Sequence, residues 1–149
     1  MRAIDSGAHM VIGAAPSYPQ PREDRDNREF LAAWQEGRLL AQACGGCGRS
    51  FFYPRTLCPY CWSQDVHFEE IDGKGEVVSF SLVHRPNHPA FLGDVPIVLA
   101  EIRLSADLTL IARIVGTSPD AMRSGLPVEL VPASEAVRYP LPTFRPRAR

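Results

Sequence analysis

The chain has a single lysine, Lys74, against fifteen arginines, and its net charge is −1. So neutral a chain lacks the broad basic field that tracks nucleic-acid phosphates, and no nucleic-acid partner is expected. The arginine bias reads as codon usage of a GC-rich, bacterial genome rather than as function. No run of eighteen apolar residues is present, which excludes a spanning helix and gives no reason to expect a membrane partner. No basic-then-apolar secretory leader is visible, so a cytoplasmic location is expected. The G-x-S-x-G, P-loop and G-x-G-x-x-G patterns are absent. His84 and His88 have no recognisable orienting carboxylate, so acid–base catalysis by either is disfavoured. No internal repeat is evident, and cysteine is absent outside residues 44–61.

Within that stretch, CGGCGRSFFYPRTLCPYC, stand Cys44, Cys47, Cys58 and Cys61, as two C-x-x-C pairs separated by ten residues. A C-x-x-C turn sets two thiolates on one side of a metal at about 2.3 Å, and a second pair completes a tetrahedron. Gly45, Gly46 and Gly48 would let backbone amides approach sulfur, and Pro59 stiffens the second turn. Structural zinc is the reading the spacing favours, because all four cysteines are consumed and no coordination position stays open. Rubredoxin-like iron, which would make the chain an electron carrier, uses the same ligands. Two disulfides would need an oxidising compartment. A closed four-sulfur site staples a segment too short to bury its own core, and performs no chemistry.

With 149 residues and 45% apolar content, the chain is long enough for one domain or a pair of small modules. Fourteen prolines and eleven glycines imply short elements. Residues 1–26 read as a tag (MRAIDSGAHM) followed by a proline-rich flexible linker. Residues 27–37 read as a helix with Asn27 as N-cap and Gly37 as stop. Its Phe30, Leu31 and Trp34 share one face, suited either to packing on its own domain or to docking a partner. Residues 38–65 read as a zinc ribbon with strands at 38–44 and 50–54. Phe51, Phe52 and Tyr53 are too many aromatics for a thin ribbon to hide, so at least one should face a neighbour.

The expected fold class is mainly β: an N-terminal helix, a rubredoxin-like zinc ribbon, then a five-stranded OB-fold barrel with one short helix. Residues 66–145 are assigned to the barrel and 146–149 to a basic tail. Alternation predicts one inward face from Val78, Phe80 and Leu82, a second from Val98, Ala100, Ile102 and Leu104, and a third from Leu110, Ala112 and Ile114. SPDAMRSG predicts a short helix with Ser118 as N-cap, Pro119 first and Gly125 as stop. PVELV is a fourth strand, and a fifth is expected near 137–144, confined by its prolines to an edge. Three strands, a helix and two strands is the OB-fold order. Such barrels bind through the loop after their first strand and the loop before their last. The first of these loops carries His84, Arg85, His88 and Phe91 between prolines. The basic run Arg138, Arg145, Arg147 and Arg149 near the C-terminus is a candidate for phosphates.

In order, REFLAAW, CGGCG, FFYPR, CPYC, GKGEVVSFSLVHR, PIVLAEIRL, SGLPVELV and LPTFRP resemble the domain of unknown function 35 family, over residues 28–146. The resemblance implies a zinc ribbon joined to an OB-fold, with Cys44, Cys47, Cys58 and Cys61 as zinc ligands. It also implies a non-catalytic subunit or fused domain accompanying an acyl-CoA enzyme. That partner would be a thiolase-fold thiolase, acyltransferase or aldolase, some in steroid side-chain degradation, or a hot-dog-fold hydratase. A thiolase-fold dimer presents two equivalent surfaces, so a two-plus-two heterotetramer follows from symmetry. The expected partner anchors are Phe30, Leu31, Trp34, Phe51, Phe52 and Tyr53. His84, Arg85, His88 and Phe91 are expected near the coenzyme A entrance, where Arg85 would attract phosphates. The competing class is a single-stranded nucleic-acid binder, since ribbons and OB-folds both do that work; near-neutral charge argues against it.

Overall fold

The computed structural model describes residues 17–105 and 108–148. The expected tag, and the part of the expected linker before residue 17, lie outside the described residues. So does Arg149 of the expected basic tail.

Helix α1 (Arg28–Gln35) buries Phe30, Ala33 and Trp34; of the predicted face, Phe30 and Trp34 are buried and Leu31 is half-buried, while Ala33 joins them. Asn27 stands at the N-cap position, yet its side-chain oxygen accepts from the Asp24 amide and caps nothing in α1. Gly37 ends the helix at φ +75°, its amide donating to the Trp34 carbonyl at 2.8 Å. A Cβ there would lie 2.5 Å from the Ala133 Cα, so glycine is needed for close approach as well as for φ.

Strands β1 (Leu39–Cys44), β2 (Ser50–Phe51) and β3 (Val66–Ile71) form a sheet in the order β2-β1-β3. The strand expected at 50–54 is only two residues long. Val66–Ile71, at which the sequence reading begins the barrel, is hydrogen-bonded along its whole length to β1.

The barrel comprises β4 (Lys74–Val83), β5 (Ile97–Ser105), β6 (Leu108–Ile114), β7 (Pro127–Leu130) and β8 (Thr143–Pro146). It closes in the order β4-β5-β6-β8-β7, which is the OB-fold arrangement. The predicted inward faces of β5 and β6 are the observed ones: Val98, Ala100, Ile102, Leu110, Ala112 and Ile114 are buried. On β4 the alternation shifts. A bulge between Val77 and Ser79 puts Val77 opposite Ile102, so Val77 replaces Val78 in the core; of the other residues of the expected inward face, Leu82 is half-buried against the core, while Phe80, paired with Ala100, is 39% exposed.

The helix expected at 118–125 is one 3-10 turn, Pro119–Ala121, after which Gly125 and Leu126 hydrogen-bond to Val77. The last strand differs more. Pro140 and Pro142 keep it from forming over 137–142, where the chain turns after α2 (Ala133–Ala136). β8 begins beyond the prolines and lies between β6, which it meets in parallel, and β7, so it closes the barrel instead of edging it. Ribbon and barrel are not independent. Phe30, Leu39 and Leu40 share one apolar cluster with Val77, Ile102, Val128 and Phe144. Among the described residues, no helix is long and apolar enough to cross a membrane.

Candidate functional site

The four cysteine sulfurs converge at the end of the ribbon, all within 4.8 Å of one another. The Sγ atoms of Cys44 and Cys61 are 3.6 Å apart and those of Cys47 and Cys58 are 3.7 Å apart. A tetrahedron with zinc–sulfur bonds of about 2.3 Å has edges of about 3.8 Å, so the cluster has the dimensions zinc requires. The two turns are copies. The Gly48 amide donates to the Cys44 carbonyl at 2.8 Å, and the Trp62 amide to the Cys58 carbonyl at 3.0 Å. The amides of Cys44 and Cys58 both donate across their turn at 3.0 Å, to Arg49 and Ser63. Each turn needs a left-handed residue after its second cysteine: Gly48 at φ +72° in one, Trp62 at φ +63° in the other. The Gly45 and Gly48 amides serve carbonyl oxygens rather than sulfur; amides of the second turn reach sulfur instead, that of Tyr60 lying 3.4 Å from Cys58 Sγ.

Without metal the sulfurs ionise unequally. Burial pushes the Cys58 thiol up, but the amides of Tyr60 and Cys61 and the neighbouring thiols more than offset it, bringing it down to about 7. At Cys61 the Ser63 amide pulls down, while burial and the other three thiols outweigh it and push the thiol up to about 12. Four thiolates this close call for a dication, and the ribbon's zinc supplies it. With four sulfur ligands it has no open position for a substrate, and its role is structural.

The aromatic candidates divide sharply. Phe30, Trp34 and Phe51 are 4%, 1% and 3% exposed, packed inside this chain. Trp34 seals a small cluster with Val131 and Ala136, and its indole N–H donates to the Tyr139 carbonyl at 3.1 Å. Phe51 covers Cys44 and Cys58. Leu31 and Phe52 are half-buried against the core, with Phe52 edge-on to Phe30 at 6.5 Å. Tyr53 alone is open, at 47%. Its hydroxyl accepts from the Ile111 amide at 3.3 Å, on the stretch of β6 that β8 does not cover.

Between ribbon and barrel lies a cavity of about 570 Å³, a size usual for ligand sites. Its walls are almost wholly apolar: Phe30 and Tyr53 from the ribbon side, Leu99, Leu110 and Ile111 from the barrel, and Tyr139 to Pro142 from the loop before β8. His88 and Phe91 of the first loop line it. His84 and Arg85 are exposed and do not. His88 is occupied locally, its Nδ1 accepting from the Ala90 amide at 3.2 Å. Of the arginines proposed for phosphates, Arg145 pairs with Glu129 at 3.0 Å and Glu135 at 3.7 Å.

One cluster was not anticipated. Arg113 on β6, with Tyr139 stacked 5.3 Å from its guanidinium, pairs with Asp94 at 3.1 Å, and Tyr18 donates its hydroxyl to the same carboxylate. Burial works against the Arg113 charge, but Tyr18 and Asp94 outweigh it and raise its pKa. Arg113 sits on the outward phase of TLIARIV, which reads as solvated; no local signal distinguishes it.

Residues 31–67 match the ChsH2 rubredoxin-like zinc ribbon domain, and residues 68–132 match the ChsH2 C-terminal OB-fold domain. The chain is 36% identical over 128 residues to the probable enoyl-CoA hydratase alpha subunit of Thermomonospora curvata, covering 86% of this chain. It spans only 40% of that relative's length. It is 29% identical over 94 residues to a DUF35 domain-containing scaffold protein of Pyrococcus furiosus, covering 63% of this chain and 68% of that protein. Among solved structures, it superposes on a chain of the Ltp2-ChsH2(DUF35) aldolase with a TM-score of 0.71 and 36% identity, covering 85% of this chain and 98% of that one. A Sulfolobus solfataricus protein of the DUF35 family shares the fold, with a TM-score of 0.56 and 18% identity over 80% of this chain and 83% of that one. With the zinc ribbon, the barrel and their order all matched, the chain belongs to the DUF35 family.

Proposed function

We propose that this chain is a non-catalytic subunit or domain that binds and supports a thiolase-fold enzyme acting on acyl-CoA thioesters, such as an aldolase, thiolase or acyltransferase, and helps shape its coenzyme A entrance. The observation that carries this is the 36% identity to the ChsH2 chain of an aldolase assembly, over 98% of that chain. The site chemistry supports it. The zinc is closed, and among the described residues neither His84 nor His88 has a carboxylate partner. The docking face differs from the aromatic set the sequence suggests. Tyr53, Leu99, Ile111 and Leu141 are large, apolar, exposed and gathered at the mouth of one cavity. Phe30, Trp34 and Phe51 serve the chain's own core instead.

Co-expression with the thiolase-fold acyl-CoA enzymes of the native host, followed by size exclusion, tests the reading. A two-plus-two complex is expected, with higher soluble yield and activity of the enzyme. Ile111→Glu should abolish co-elution at unchanged melting temperature, because the side chain is 64% exposed. Turnover of acyl-CoA by the isolated chain, or separate elution from every such enzyme, overturns it. A second reading, partnership with a hot-dog-fold hydratase, is favoured by the Thermomonospora relative. Co-elution with a hydratase in place of the thiolase-fold enzyme selects it.

A further inference from the structure

Residues 84–96 join β4 to β5, and Pro86, Asn87, His88 and Phe91 form one wall of the apolar cavity. The segment is stiff within itself. Pro89–Asp94 is a 3-10 turn, capped by His88 and closed by the Phe91 amide on the His88 carbonyl at 3.1 Å. Its attachment to the rest of the molecule is sparse. Among the described residues, every side-chain hydrogen bond or ion pair that leaves the segment starts at Asp94. Asp94 has two partners, Arg113 on the barrel wall and Tyr18. The Tyr18 ring also packs on Phe91 at 5.0 Å and lies 5.9 Å from the Arg113 guanidinium.

Tyr18 belongs to a stretch without regular secondary structure, stiffened by Pro19 and Pro21, which runs on to α1. The far end of that stretch is tied to the ribbon, where Thr56 donates to Asp26 at 2.8 Å. The stretch crosses from ribbon to barrel as a strap, with Tyr18 clipped at the barrel end.

We propose that residues 84–96 are a movable wall of the cavity and that Tyr18 is its latch: when the phenol leaves Asp94 and Phe91, the stiff segment loosens as a unit about its ends at Val83 and Ile97, held then by the Asp94–Arg113 pair alone. The inference goes beyond the partner role and holds or fails in the isolated chain. A rigid segment held by one carboxylate, shared by Arg113 and Tyr18, and by one aromatic contact on Tyr18 has few ways to loosen partially, so loss of the latch acts on the whole segment. Tyr18 acts through Asp94 and Phe91; it is a positioning residue.

Hydrogen exchange of the zinc-loaded full chain tests this. Tyr18→Ala should speed exchange across residues 86–95 by at least about tenfold, the least expected from losing one aromatic contact with one charge-assisted hydrogen bond. The β5 and β6 amides should keep their wild-type rates. Tyr18→Phe, which retains the ring, should give a smaller rise in the same segment. Unchanged exchange in 86–95 overturns the latch, as does an equal rise throughout the barrel, which would make Tyr18 a general stabiliser.

Discussion

Trp34→Ala separates an internal role for the aromatic helix from a partner-facing one. In the structure the side chain is 1% exposed, closed in by Val131, Ala136 and the half-buried Tyr139. A buried indole hides roughly 200–250 Å², which at about 25 cal/mol per Å² bounds the transfer loss at roughly 5–6 kcal/mol. Losses for Trp→Ala in cores run about 3–5 kcal/mol, because the cavity left behind collapses only in part. The substitution also strips the Tyr139 carbonyl of its indole donor, adding about 1 kcal/mol. We take about 4 kcal/mol. For a chain of this size a kilocalorie shifts the midpoint by about 3–5 °C, so thermal unfolding of the zinc-loaded chain should fall by roughly 12–20 °C. Trp34→Phe keeps the ring packing and drops the hydrogen bond, so about 1–2 kcal/mol is expected. Circular dichroism serves for both, with the remaining Trp62 as a fluorescent reporter. A midpoint shift under about 3 °C for Trp34→Ala would mean that the indole is not sealed in this chain's core, and would return it to the partner interface.

Cys58→Ser should leave the chain with less than one zinc by elemental analysis and cost several kcal/mol, since ligand loss removes binding energy that is folding energy. Because Phe30, Leu39 and Leu40 pack in the barrel's cluster, melting should remain one transition at lower temperature rather than a separate loss of the ribbon. The two cysteine turns should respond oppositely at their matched positions. Gly48→Ala forces a Cβ into φ +72° and should cost about 1 kcal/mol. Trp62→Gly removes the same strain from a residue that is 74% exposed, so denaturant midpoints should rise or hold within about 1 kcal/mol. A large loss at Trp62→Gly would show that the exposed indole contributes packing the geometry does not reveal.

The ribbon was legible because its logic is local. Two C-x-x-C pairs fix their own turns, whatever surrounds them. The inward faces of β5 and β6 were legible for a similar reason, since strict alternation over seven to nine residues leaves one solution. β4 escaped because VVSF offers two apolar residues in succession, and only pairing with β5 decides which of Val77 and Val78 is the extra one. β8 escapes because apolar pattern alone draws a strand over Pro140 and Pro142, while the chain spends 137–142 in a turn and puts Thr143 and Phe144 in the closing strand. The Asp94–Arg113–Tyr18 cluster unites residues up to 95 positions apart, two of them outside any strand and Arg113 on a phase that alternation assigns to solvent. Periodicity carries no information about such a meeting.

The aromatic anchors show where pattern reading stops. An amphipathic stripe reports that a helix needs a cover, not what the cover is. The stripe of α1 is covered from within, because Gly37 lets the chain turn tightly enough for α2 to meet the helix. Phe51 is likewise consumed by the cysteine cluster it shields. What stays available is set by leftover geometry. β8 meets β6 only at Arg113 and Ile114, so the backbone of Ile111 is left for Tyr53 to bond. The outward side chains of Leu99 and Ile111 then have no layer of this chain above them. An apolar residue on the outward phase of a strand is unfavourable unless something covers it; Leu99 and Ile111 are two such residues, and with Tyr53 and Leu141 from the loops they ring one cavity mouth. That makes Tyr53, Leu99, Ile111 and Leu141, rather than the helix, the surface on which a partner has most to gain.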